Sequence, residues 1–152
     1  MASADNEICI LCRSLKTERS VYENALWHLR SIEPPVAVAG WMIMIAKRHV
    51  SGPGYFDDGE ALQFGVALRH FARVLEQVTG ALRIYTAALG EAVPHFHCHL
   101  VPRYSDAPKI GWNLFDLQRA AKAGEVVVPE TQVARVIEDY RLALAENPLT
   151  GA

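Results

Sequence analysis

Three of the six histidines in this 152-residue chain stand at alternate positions in one short segment. The segment reads His95-Phe96-His97-Cys98-His99, so apolar residues separate the histidines. Alternate side chains of a β-strand point to one face of the sheet, and the pattern therefore predicts a row of three imidazoles about 7 Å apart. An imidazole can act as a nucleophile, a proton carrier or a metal ligand near neutral pH. We interpret the row as a functional site; the alternative is a polar strand face that happens to carry histidines.

The sequence around this row resembles the motif of the histidine triad family, His-φ-His-φ-His-φ-φ, in which φ is an apolar residue. Gly90-Glu91-Ala92-Val93-Pro94 precedes the row and Val101-Pro102-Arg103 follows it, a framing similar to that of the fragile histidine triad branch. The segment 40–50 is similar to the family's preceding strand, which usually reads Gly-His, an apolar run and Pro-Lys-Arg-His. The resemblance covers roughly residues 9–105.

The resemblance implies a nucleotidyl hydrolase or transferase that cleaves the α-phosphate linkage of nucleoside phosphoramidates or dinucleoside polyphosphates. In the family, the middle histidine attacks the α-phosphorus and forms a covalent nucleotidyl-histidine, so the implied nucleophile is His97. The backbone carbonyl of His95 is the family's device for fixing the tautomer of the nucleophile. His99 is expected to donate to phosphate oxygens as charge develops. Magnesium is expected only as a complex with a polyphosphate substrate.

Two positions before the row differ from the family pattern. The family usually has Gln or Asn and then Ser or Thr after the loop glycine, whereas this chain has Glu91 and Ala92. Ala92 has no polar group to donate. An ionised Glu91 repels phosphate, unless it is protonated, turned away or acting as an acid. The loss of one oxyanion donor costs on the order of a hundredfold in rate. An alternative function is therefore a purine nucleotide-binding or interaction module with little catalytic activity.

The remaining contacts with a nucleotide are assigned by resemblance. Apolar residues beside the N-terminal cysteine pair form the family's base pocket, and an acid or Asn on the second strand binds the ribose. Counting back from Gly40 selects Glu33 for the ribose, whereas matching the strand selects Arg30 or Ser31. Trp41 replaces the usual histidine and is either a base-stacking wall or a core residue. The substrate-binding residues predicted in this way are His99, Glu91, Ala92, Glu33, Leu11, Ile10 and Trp41.

Cys9 and Cys12 form a Cys-x-x-Cys pair, which is a common half of a tetrahedral zinc site. Two histidines are candidates to complete it, because His95 opens the row and His49 closes the neighbouring strand. The equivalent residues bind zinc in some family members and in the related galactose phosphate uridylyltransferases. Four protein ligands leave no open coordination position, so we predict a structural zinc. The alternative is that both cysteines are small buried residues.

Composition restricts the classes of function. The chain is 51% hydrophobic, which fits one globular domain with a core of its own. A net charge of −2 does not favour general nucleic-acid or membrane binding. The sequence shows no signal peptide or transmembrane run, and its three cysteines are expected to be reduced in a cytoplasm. The expected partner is a small nucleotide, and the resemblance implies a homodimer.

The strands and helices that position these residues are predicted from the spacing of apolar residues and from the capping and turn residues between them. The apolar run 40–46 predicts a central strand, and acidic residues before an amphipathic stretch predict a helix over 57–78 that ends at Gly80. The segment 82–88 is predicted to form a hairpin with the histidine strand through a tight loop at Gly90. A second amphipathic helix is expected from about Pro129 to Asn147.

These elements predict an α+β domain, an antiparallel sheet with one long central helix and a C-terminal helix. The count of about five strands comes from the resemblance. We expect residues 1–8 to be a loose segment, residues 9–105 to form the domain, and residues 106–152 to be an extension packed on it. The stretch 105–129 is expected to be less regular, and its apolar part, 111–115, either lines the site or packs at an interface.

Overall fold

The computed structural model describes residues 9–15, 17–107 and 113–150, and only the backbone of residues 113 and 114. The predicted loose segment 1–8 lies outside the described residues. In chain order the elements are α1 (Ile10–Arg13), β1 (Ser20–Glu23), β2 (Trp27–Ser31), β3 (Met42–Ala46), a 3-10 turn (Pro53–Tyr55), α2 (Asp58–Thr79), β4 (Arg83–Ala87), β5 (His97–Arg103), α3 (Asn113–Lys122) and α4 (Glu130–Glu146).

The five strands form one antiparallel sheet in the order β1-β2-β3-β5-β4, which confirms the predicted α+β class. β4 and β5 pair as predicted, but residues 88–96 connect them, so the expected tight loop at Gly90 is wrong. The reason is that β5 begins only at His97. Alternation of residue types reports which face a side chain takes but does not mark where a strand starts.

One face of the sheet packs against α2 and α4 and forms the main core. The strand residues on this face are fully or almost fully buried, including Trp27, Leu29, Met42, Met44, Cys98 and Leu100. Cys98 therefore points into the core, away from His97 and His99. Tyr140 of α4 donates its buried hydroxyl to the carbonyl of Phe71 on α2 at 2.8 Å, which satisfies a polar group within the core.

Helix α2 follows the sequence prediction closely. Asp57 caps its N-terminus in a capping box with Glu60, and Gly80 ends it in the left-handed conformation at φ 64°. The buried carboxylate of Glu60 also pairs with the guanidinium of Arg48, with 2.5 Å between Oε2 and Nη2. This pair ties the start of α2 to the segment that follows β3, where His49 lies.

The turn before β3 depends on Gly40, which adopts φ 83°. A Cβ atom at this position would lie 3.1 Å from side-chain carbons of both Pro102 and Thr79. Positive φ and this close approach both favour glycine. The turn directs Trp41 into the protein, where it is 1% exposed.

The C-terminal part contains a helix that the sequence did not predict. Within the stretch expected to be less regular lies α3, which Gln118 attaches to the loop before β3. The Gln118 amide accepts from the backbone N–H of Ala37 and donates to the carbonyl of Pro35. A ten-residue helix next to turn-forming residues gives a weak periodic signal. Among the described helices, none has both the length and the apolar character needed to cross a bilayer.

Candidate functional site

The face of the sheet opposite α2 carries the histidine row, but the row contains two histidines and not three. His97 lies opposite Ile45 of β3, and His99 lies opposite Ile43. His95 precedes the strand and is fully buried. The prediction of one strand that carries all three histidines is therefore wrong for His95, which lies outside β5. Its backbone N–H donates to the Val93 carbonyl at 2.8 Å, so the chain turns here before the strand begins.

The buried His95 side chain joins the other three predicted metal ligands. The ligand atoms of Cys9, Cys12, His49 and His95 all lie within 4.8 Å of one another. The Cys12 sulfur is 3.3 Å from Nδ1 of both histidines, and the Cys9 sulfur is 3.4 Å from His95 Nδ1. In tetrahedral zinc coordination, neighbouring sulfur and nitrogen ligands lie roughly 3.5 Å apart. The four residues thus fit a closed Cys₂His₂ zinc site.

The hydrogen bonding of His95 presents the correct nitrogen to this cluster. Its Nε2–H donates to the carbonyl of Ala46 at 2.7 Å. A carbonyl can only accept, so the Nδ1 of a neutral ring carries the lone pair, and that lone pair faces the two sulfurs. A second hydrogen bond of this kind orients metal-binding histidines in general.

The two thiols of the cysteine pair oppose each other's ionisation. Burial raises the pKa of Cys12 to about 11, and the hydrogen bond and charge of Cys9 act in the same direction. Two thiolates at this separation repel each other unless a positive charge lies between them. The donor types and their spacing point to zinc, whose charge would offset this repulsion.

His97 is held in one tautomer by the backbone of His95. Its Nδ1–H donates to the backbone carbonyl of His95 at 2.8 Å, which leaves the Nε2 lone pair free. The ring is only half-buried, so Nε2 can meet a ligand. This is the arrangement expected of the nucleophile. Since His95 is itself fixed by the cluster, the metal site and His97 are linked through one residue.

His99 lies in an aromatic enclosure. Its ring contacts Trp41, Phe115 and His97 edge to face, with centroids 5.9, 5.5 and 5.3 Å away. The indole Nε1–H of Trp41 donates to His99 Nδ1 at 3.0 Å. Burial, and then the nearby His97, lower the pKa of His99 to about 4. His99 is therefore neutral at physiological pH.

The lowered pKa of His99 predicts a loss of stability in acid. The pKa of an unfolded histidine is near 6.5, whereas that of folded His99 is about 4. Between these pH values the unfolded chain binds a proton that the folded chain does not bind, so acid favours unfolding. We expect this difference to cost about 2 kcal/mol of unfolding free energy at pH 5 relative to pH 7.5. Urea unfolding at both pH values, compared with His99→Asn, isolates the effect because metal loss affects both proteins. Identical pH dependence in the two proteins would contradict it.

The residues predicted to bind the base are divided between core and surface. Leu11 is 6% exposed and packs on Ile43 and Ile45, so it covers the sheet as a core residue. Ile10 is 55% exposed. Trp41 is too deeply buried to offer a stacking face, and of the two roles left open for it the structure favours the core.

The ribose candidates Arg30 and Glu33 form an ion pair. Arg30 is almost fully buried on the site face of β2, and its Nη1 lies 2.7 Å from Oε1 of the exposed Glu33. Arg30 also donates to the Ser14 hydroxyl at 3.1 Å, which attaches the metal-binding turn to the sheet. Ser31 faces the opposite side and donates to backbone carbonyls. The register thus leaves Glu33 as the accessible candidate of the three.

A cleft of about 850 Å³ borders the metal cluster. Its lining includes Cys9 and His49 of the cluster and the exposed Ile10 and Ala92. None of the described residues that line it belongs to the histidine row. The predicted contacts Ile10 and Ala92 thus share a concave surface next to the metal site, and Glu91 is exposed beside it in sequence.

Sequence reasoning missed two features of this site. It did not identify the hydrogen bond from Trp41 to His99 or the packing of Phe115 on both rings. The signal for Phe115 was the apolar segment 111–115, for which a role at the site was one of two options. Of that segment, residues 111 and 112 lie outside the described residues.

Solved structures show which fold this is. A zinc-bound histidine triad family protein from Mycobacterium smegmatis is 18% identical, covers 93% of this chain and 96% of its own, and superposes with a TM-score of 0.70. A Hit-like protein involved in cell-cycle regulation from Bartonella henselae is 16% identical over 91% of this chain and 97% of its own, with a TM-score of 0.68. A hypothetical histidine triad nucleotide-binding protein from Sulfolobus tokodaii is 14% identical over 90% of this chain and 89% of its own, with a TM-score of 0.64.

The architecture is therefore the histidine triad fold. No family model and no curated protein matches the chain by sequence. The fragile histidine triad branch, expected from the framing of the motif, is not distinguished by these similarities.

Proposed function

We propose that this chain is a histidine triad protein that hydrolyses or transfers a nucleotidyl group through His97. The observation that carries the proposal is the bond from His97 Nδ1–H to the His95 carbonyl, which leaves Nε2 as a free lone pair on a half-buried ring. A nucleophilic imidazole needs this tautomer. The similarity to solved histidine triad proteins supports the same assignment.

In the first step, the Nε2 lone pair of His97 forms a bond to the α-phosphorus, and the bond from phosphorus to the leaving group breaks. The leaving group departs with the electron pair and takes up a proton. The His97 ring becomes cationic, so its Nδ1–H bond to the His95 carbonyl strengthens as the reaction proceeds. An interaction that grows toward the transition state accelerates the step.

In the second step, a water oxygen attacks phosphorus, and the bond from phosphorus to Nε2 breaks. The water proton is released, and the nucleoside monophosphate leaves neutral His97 behind. His99, whose Nδ1 already accepts from Trp41, presents Nε2–H as a donor to phosphate oxygens in both steps.

Cys9, Cys12, His49 and His95 would hold zinc in a closed structural site. When bound, the metal supplies a fixed charge that links the N-terminal turn to the sheet. The metal ligands then contribute to catalysis by positioning His97. The side chain of His95 is fixed, and its backbone carbonyl is held at Nδ1 of His97.

Charge favours a phosphoramidate over a dinucleoside polyphosphate as the substrate. The segment 90–99 contains the acid Glu91 and no Lys or Arg, and His99 is neutral at pH 7. A polyphosphate brings several negative charges to this segment, whereas a nucleoside phosphoramidate with an amine leaving group brings fewer. Two like charges about 4 Å apart repel by about 1 kcal/mol in water and by more near a protein surface.

The test is hydrolysis of an adenosine phosphoramidate and of diadenosine polyphosphates by wild type, Glu91→Gln and the control Glu76→Gln. We expect wild type to prefer the phosphoramidate, and Glu91→Gln to raise kcat/KM for the polyphosphates by about fivefold. The control replaces an exposed acid on α2 and is expected to match wild type. A wild-type preference for polyphosphates contradicts the charge argument. Nucleotide binding without any turnover favours the binding module, the second candidate that Glu91 and Ala92 support.

A further inference from the structure

We infer that Trp41 is a positioning residue that holds His99 in the neutral Nε2–H tautomer and thereby decides which nitrogen of His99 faces a bound phosphate. The inference about the tautomer stands on the structure alone. Its consequence for catalysis rests on the proposed function.

The first observation is the direction of the hydrogen bond between the two rings. Trp41 Nε1 lies 3.0 Å from His99 Nδ1. An indole nitrogen can only donate, so His99 Nδ1 must accept and cannot carry a proton. A neutral imidazole has one proton, which is therefore placed on Nε2. The doubly protonated ring has no acceptor and is incompatible with this contact.

The second observation is that Trp41 cannot easily turn away. The residue is 1% exposed, and its backbone N–H donates to the Val38 carbonyl at 3.1 Å while its carbonyl accepts from Ile32 at 3.2 Å. Phe115 packs edge to face on Trp41 at 5.5 Å and on His99 at the same centroid distance. The donor is thus fixed by its backbone and by its neighbours, and reorientation would break several contacts together.

The surroundings of His99 agree with a neutral ring. Its ring contacts Trp41 and Phe115, which are not titratable, and His97. Burial lowers the pKa of His99 to about 4, so a proton does not displace the indole bond at neutral pH. Geometry and desolvation therefore favour the same tautomer.

The consequence for the proposed reaction follows from which nitrogen is left. With Nδ1 occupied by Trp41, Nε2–H is the donor that a phosphate oxygen meets. In the other tautomer, Nε2 would present a lone pair to a negatively charged oxygen, which is repulsive. Without the indole donor, His99 can therefore also adopt the tautomer whose Nε2 cannot donate to phosphate. We expect Trp41→Phe to lower kcat about tenfold with little change in KM, the size of effect that one neutral hydrogen bond supplies.

The experiment is ¹⁵N NMR of the histidine side chains of the zinc-loaded full chain at pH 7.5, with His99→Asn used to assign the His99 signals. In wild type we expect a pyrrole-type Nε2 and a pyridine-type Nδ1. In Trp41→Phe we expect the two signals to move toward each other as both tautomers become populated. A protonated Nδ1 in wild type, or an unchanged His99 spectrum in Trp41→Phe, would overturn the inference.

Two further variants distinguish loss of the hydrogen bond to His99 from loss of side-chain packing. Replacing Trp41 with benzothienylalanine keeps the size and shape of the side chain but substitutes sulfur for the N–H, so the protein should fold even where Trp41→Phe does not. The same convergence of signals is expected in it. Phe115→Leu removes an aromatic contact without removing the donor, and the wild-type tautomer is expected to persist. Because these spectra need no turnover, a protein that hydrolyses nothing still tests the inference.

Discussion

His97→Asn is expected to lower nucleotidyl hydrolysis by at least about a thousandfold, because the amide has no nucleophilic lone pair to replace imidazole Nε2. The fold should be retained, since His97 is only half-buried and, among the described residues, its side chain bonds to the His95 carbonyl alone. The measurement is single-turnover hydrolysis of an adenosine phosphoramidate, with circular dichroism and the melting temperature as tests of folding.

A second readout identifies the intermediate itself. Wild type mixed with substrate labelled at the α-phosphorus and quenched rapidly should carry the label in an acid-labile, base-stable form, as expected for a phosphorus–nitrogen bond. His97→Asn should carry none. His70→Asn is the matched control, because it makes the same substitution on α2, outside the site, and should label like wild type. Undiminished turnover by His97→Asn would exclude His97 as the nucleophile.

Cys9→Ser is expected to abolish stoichiometric zinc binding and to lower the melting temperature by on the order of 10 °C. The physical reason is that the cluster joins three separate parts of the chain: the turn at α1, the segment after β3 and the segment before β5. Without the metal, no ligand bonds hold the turn that carries Leu11 against Ile43 and Ile45. Zinc content by mass spectrometry and the melting temperature with and without a chelator measure both effects.

Cys98→Ala is the control for the loss of a thiol. Cys98 is the third cysteine and is 3% exposed in the main core, on the face of the sheet away from the cluster. We expect this variant to keep one zinc per chain and to respond to chelator as wild type does. A wild-type protein that purifies without zinc, and whose melting temperature is unaffected by added zinc or chelator, would contradict the metal assignment.

Local patterns in the sequence were sufficient for the main elements. The limits of α2 follow from Asp57 and Gly80, and the observed helix agrees with the predicted one to within a residue or two at each end. The apolar run before Lys47 predicted β3, which lies at the centre of the sheet. Capping and burial act over a few neighbouring residues, so these features are encoded locally and can be recognised without the rest of the chain.

The identity of the four candidate metal ligands also followed from the sequence, because few residue types bind zinc and the motif limited the choice. What the sequence did not provide is the path of the chain at His95. Alternation predicted a strand through this residue, whereas the turn at Val93 and the cluster take its side chain out of the row. Whether His95 continues the strand or turns toward the metal ligands depends on contacts between distant parts of the chain.

The sequence by itself thus determined the α+β class, the long helix, the central strand and the residue types available for chemistry. Only the tertiary structure decided that Trp41 donates to His99, that Phe115 closes over both, and that Glu33 is paired with Arg30. Trp41 and His99 are 58 residues apart in sequence and meet because β3 and β5 pair in one register. Contacts of this kind depend on register, turn geometry and the burial of both partners, and no local pattern contains that information.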